Sequence, residues 1–78
     1  MMNTARLLKR IVCDPEVMIG KPVIKGTRMP VELIVEKLAA GETVPELLED
    51  YPFLKEDDIR AALFYSARSV SREEVYAV

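Results

Sequence analysis

The chain has 78 residues, with 11 bases against 13 acids for a formal net charge of −2, no histidine and a single cysteine. One domain is all that this length supports. The lone Cys13 excludes an internal disulfide, and one thiol without histidine cannot build a zinc site, so neither metal nor cofactor is expected.

No apolar run approaches the ~18 residues of a membrane span, and Met1–Arg10 lacks a signal-peptide core. With a single thiol suited to a reducing compartment, a cytoplasmic protein without membrane contact is expected. Hydrophobic residues make up 50% of the chain. That is more apolar surface than a small core hides, which points to a homodimer. The charge is unevenly spread. Residues 1–28 carry six bases against two acids, a net of +4, and residues 29–78 carry five bases against eleven acids, a net of −6.

Residues 1–9 show no clear period. Arg10-Ile11-Val12-Cys13 is β-prone and is stopped by the turn pair Asp14-Pro15. After a loop through Gly20, Pro22-Val23-Ile24-Lys25 forms a second β-prone run, ended by Gly26. The two runs pair as a short ribbon that must lean on other elements, because neither is stable alone. Pro30 reads as the first residue of a helix. Val31, Ile34, Val35 and Leu38 give that helix one apolar face, and Gly41 ends it. Thr43 and Glu46 read as a capping box for a second helix, whose apolar face is Val44, Leu47, Leu48 and Tyr51. Pro52 stops it, and the apolar connector Tyr51-Pro52-Phe53-Leu54 is expected to pack inward. A third helix starts near Lys55 with Glu56, Asp57 and Asp58 in its first turn. Its expected inner face is Ile59, Ala62, Leu63 and Ala67, and it ends near Ser69. Ser71-Arg72-Glu73-Glu74 allows a further short helix or an extended tail. The fold class is mainly α: a single domain over 1–78, with ribbon and loop at 10–29, a three-helix core at 30–69 and a tail at 70–78.

The run from Gly20 to Val31, GKPVIKGTRMPV, is distinctive. With LEDYP at Leu48–Pro52 and DDIRAAL at Asp57–Leu63 it strongly resembles the domain of unknown function 433 family, over about residues 10–68. The resemblance implies a homeodomain-like, helix-turn-helix core. It also implies a role as an antitoxin beside a small nuclease-like toxin; the function expected here is that of an antitoxin or transcriptional autoregulator binding the toxin, operator DNA, or both. The sequence departs from the pattern at Met29, where a β-branched residue is usual, and at Val17-Met18-Ile19, which replaces a stretch richer in Gly or Cys. It departs again at Lys55, where a Thr or Ser cap is common.

Candidate site residues follow from charge and leftover apolar surface. Gly26 is followed by Thr27-Arg28 and not by Lys, so the glycine loop is not a Walker loop; Gly20 and Gly26 punctuate turns. Arg28 either clamps a phosphate beside Lys25 and Thr27 or holds an acid or carbonyl that fixes the ribbon to the helices. The start of the third helix carries three carboxylates, which oppose a polyanion where a recognition helix would enter the groove. DNA, if bound, is therefore expected at Lys21, Lys25 and Arg28. Phe64, Tyr65, Val75 and Tyr76 remain after the core faces are assigned. They read either as a partner-binding surface, in a dimer, or as tail packing within one chain. Cys13, with no His beside it, reads as a buried inert thiol. No nucleophile–base set exists, so the protein is expected not to be an enzyme. The competing role is a protein-binding or structural module without DNA.

Overall fold

The computed structural model describes residues 4–71. Its first element is a short helix, α1 (Thr4–Leu8), which turns directly into the strand β1 (Ile11–Val12). A left-handed turn at Met18–Gly20 leads to β2 (Val23–Ile24). The two strands pair antiparallel, Ile11 opposite Ile24 and Val12 opposite Val23, as their β-branched sequences predict. The ribbon is extended by a bridge between Val23 and Pro30.

Between β2 and the helices the chain makes a tight turn. Thr27 N–H donates to the Ile24 carbonyl at 3.0 Å. Gly26 stands at φ +80°, which a type II turn requires at its third residue. The Thr27 hydroxyl donates to the Ile24 carbonyl and accepts from Met29 N–H. That closes the loop without help from Arg28.

Helix α2 (Val31–Ala39) follows, with Pro30 as its N-cap and not its first helical residue. It ends in a Schellman motif. Gly41 N–H donates to the Leu38 carbonyl and Glu42 N–H to the Lys37 carbonyl, with Gly41 at φ +103°. Helix α3 (Val44–Asp50) has the capping box expected of Thr43 and Glu46. The Glu46 carboxylate is held below the ordinary range, chiefly by the backbone N–H of Thr43 and then by its hydroxyl.

Helix α4 (Glu56–Ser71) is the hub, packing against α1, α2, α3 and β1. The core gathers Ile24, Met29, Val31, Ile34, Leu47, Leu54, Ile59 and Ala62, with Tyr51 and Tyr65 half-buried against it. The fold is thus mainly helical with an N-terminal ribbon, as the sequence predicts.

Four further expectations are corrected. Helix α1 carried no sequence period, since five residues are too few to show one, yet it buries Leu7. Because α1 packs on α4, the buried face of α4 is rotated: Asp58, Ile59, Ala61 and Ala62 lie inside. Leu63 is 44% exposed and Ala67 is exposed. The connector splits: Leu54 is buried, but Pro52 and Phe53 face outward. Cys13 is exposed, because the strand ends before it and the Asp14-Pro15 turn carries it away from the core.

Candidate nucleic-acid interface

The end of α1 and the start of β1 place three bases in one short stretch, Arg6, Lys9 and Arg10. A tight turn joins the two elements, with Lys9 N–H donating to the Arg6 carbonyl and Arg10 N–H to the Leu7 carbonyl. The ribbon register then brings Lys25 alongside, and its N–H donates to the Arg10 carbonyl at 2.7 Å. These four bases, with Asp58 from the first turn of α4, line an open concavity of about 450 Å³.

Asp58 is only 6% exposed and does two things. One carboxylate oxygen accepts from Arg10 Nη1 at 2.9 Å, and the other accepts from Lys55 N–H at 2.8 Å. The second bond is the N3-to-N-cap half of a capping box. It satisfies the N–H of Lys55, whose own side chain cannot accept in return. Arg10 also reaches Asp57 at 3.6 Å. Its charge is therefore largely committed. Arg6, Lys9 and Lys25 have no acidic partner within ion-pair distance among the described residues. Three uncommitted cations around one concavity make a site for anionic groups.

The residues singled out from sequence are distributed differently. Lys25 is in this concavity. Lys21 is turned toward α2, where its ammonium is paired with Glu32. Its pKa is raised by that hydrogen bond and by the Glu32 charge. Arg28 is exposed and lines a separate apolar groove with Met29, Pro30, Leu33 and Phe53. The link between ribbon and helices that Arg28 was a candidate to make is made by Arg10 and Asp58. Tyr65 packs against the core, and Phe64 is half-buried with the Arg68 guanidinium 5.8 Å from its ring. Val75 and Tyr76 lie outside the described residues.

The acids at the start of α4 are engaged as well. Glu56 and Asp57 pair with Arg60 at 2.8 and 3.3 Å, so Arg60 offers no free charge. Sequence reasoning counted Arg6, Lys9 and Arg10 in a basic segment but did not gather them into a site. The signal for doing so was the strand register, which sets Lys25 beside Arg10.

A small, mainly helical chain with a ribbon and a basic concavity at its N-terminal end is the class that fold and charge define. Residues 11–66 match the family described as Protein of unknown function (DUF433), and the chain belongs to that family. It is 38% identical over 56 residues to the uncharacterized protein y4eO of Sinorhizobium fredii, an alignment covering 72% of this chain and 25% of that one. The chain thus spans about a quarter of that relative. It is 64% identical over 25 residues to an uncharacterized protein of Archaeoglobus fulgidus, covering 32% of this chain and 69% of the other. The crystal structure of a DUF433 member from Anabaena variabilis superposes with a TM-score of 0.74 at 33% identity, over 88% of this chain and 72% of that one. The family match takes in Lys25 and Asp58 but begins just after Arg10. No helix among the described residues is long and apolar enough to cross a membrane.

Proposed function

We propose that the protein works by binding and not by catalysis, as a dimeric antitoxin and transcriptional autoregulator acting in the cytoplasm. Its DNA contact is then the concavity of Arg6, Lys9, Arg10 and Lys25. The observation that carries this reading is the gathering of three unpaired cations at one site, on a protein whose net charge is negative. A two-fold dimer presents the site twice, as paired half-sites require. The toxin partner, a small nuclease-like protein, rests on the family resemblance alone.

This DNA contact differs from insertion of α4 into the major groove. The first turn of α4 is acidic and its nearest base, Arg60, is already paired. The test is titration of the duplex upstream of the protein's own reading frame at several salt concentrations. Arg6→Ala, Lys9→Ala and Lys25→Ala are each expected to weaken binding. Each is also expected to flatten the salt slope by roughly 0.9 per lost phosphate contact. Lys21→Ala is expected to do less, because Glu32 already holds that ammonium. Loss of binding in Arg60→Ala with the concavity variants unchanged would make α4 the reader. A wild type that binds no duplex at low salt would leave protein binding as the function.

A further inference from the structure

The loop from Asp14 to Gly20 holds an unusual tip. Met18 and Ile19 stand at φ +51° and +57°, a left-handed conformation that is rare for any side chain and an outlier for a β-branched one. Ile19 is also 95% exposed, so backbone strain and solvated apolar surface coincide at one residue. Hydrogen bonds within the loop brace the tip. The Asp14 carbonyl accepts from Val17 N–H and Gly20 N–H, and the Asp14 carboxylate accepts from Glu16 N–H at 2.9 Å. Two acids, Asp14 and Glu16, precede this apolar point in the loop, and Lys21, which follows it, is already paired with Glu32.

The opposite chemistry occurs elsewhere on the same chain. The groove of Met29, Pro30, Leu33 and Phe53 has a volume of about 480 Å³ and carries Arg28 at its edge. Phe53 is 55% exposed, held edge-on to Tyr51 with ring centroids 6.0 Å apart. Arg28 has no ion pair among the described residues. An apolar groove with one unpaired cation is complementary in charge to an apolar tip whose loop carries two carboxylates, Asp14 and Glu16.

We infer that this groove receives the Ile19 tip of a second copy of this chain, with Glu16 of one copy against Arg28 of the other. In a two-fold arrangement each copy gives a tip and accepts one, so every contact occurs twice. Burial of Ile19 removes the exposed apolar surface, and the partner's groove offsets the strain of the left-handed turn. This interface deepens the dimeric reading proposed above and rests on it. This surface is distinct from Phe64 and Tyr65, which are half-buried within the chain.

The experiment is light scattering with sedimentation equilibrium over the micromolar range, and circular dichroism to monitor the fold. Wild type is expected to be a dimer. Ile19→Gly relieves the strained φ and removes the apolar tip, so the dimer is expected to weaken roughly tenfold or more while circular dichroism shows the fold intact. Glu16→Arg and Arg28→Glu are each expected to weaken the dimer, and the double variant to restore it. A wild type that is monomeric throughout overturns both the interface and the dimeric reading. A dimer unchanged in all these variants, or a double variant no better than the weaker single one, overturns the interface and leaves the dimer standing.

Discussion

Replacing Asp58 is expected to change stability and DNA binding in opposite directions. Its carboxylate holds Arg10 at 2.9 Å and Lys55 N–H at 2.8 Å, so Asp58→Ala removes both bonds. A hydrogen bond to a charged group contributes ~1.5–3 kcal/mol in general. The Arg10 side chain is 36% exposed, and solvent screening reduces that bond to about 1 kcal/mol. Loss of the capping bond adds about 1 kcal/mol. The total, about 2 kcal/mol, is a large part of the ~4–12 kcal/mol expected for a chain of this length. It corresponds to a fall in Tm of roughly 8–16 °C. The assay is thermal and urea unfolding of wild type, Asp58→Ala, Arg10→Ala and the double variant, with a coupling of about 1 kcal/mol expected. Asp57→Ala, at the longer 3.6 Å contact, is expected to stay within about 0.5 kcal/mol of wild type. In the binding assay Asp58→Asn removes the charge that ties down Arg10, so affinity for DNA is expected to rise although stability falls. A coupling indistinguishable from zero would refute the ion-pair argument. Weaker DNA binding by a folded Asp58→Asn would refute the assignment of the concavity as the anion site.

Two further outcomes test the packing and the caps. Ile34 is fully buried, so Ile34→Ala is expected to cost ~2–5 kcal/mol; Leu63→Ala, on the outward side of α4, is expected to cost less than about 1 kcal/mol, and urea midpoints of the two variants separate the faces. The Glu46 carboxylate is depressed by the Thr43 N–H and hydroxyl, so its contribution is present above the unfolded glutamate pKa of ~4.3 and is lost as pH falls through the lower folded value. Acid titration followed by circular dichroism is therefore expected to show a smaller loss of stability below that pKa in Glu46→Gln than in wild type.

Local rules sufficed where each element carries its own instructions. The ribbon strands, the Thr43–Glu46 capping box and the Gly41 helix end were legible because β-branched pairs, caps and positive-φ glycines act within a few residues. The family resemblance was legible in the Gly20–Val31 run, and the charge split in simple counting of bases and acids. Tertiary structure decided what depends on neighbours distant in sequence. Helix α1 exists because α4 offers it a surface, and its presence rotates the buried face of α4 from Leu63 toward Ala61 and Asp58. The same packing selects Arg10, not Arg28, to tie the ribbon to the helices through Asp58. It also places Arg6, Lys9 and Lys25 at one concavity while Glu32 draws Lys21 elsewhere. A side chain's partners depend on through-space distances between elements, and no local spacing encodes those until the chain has packed.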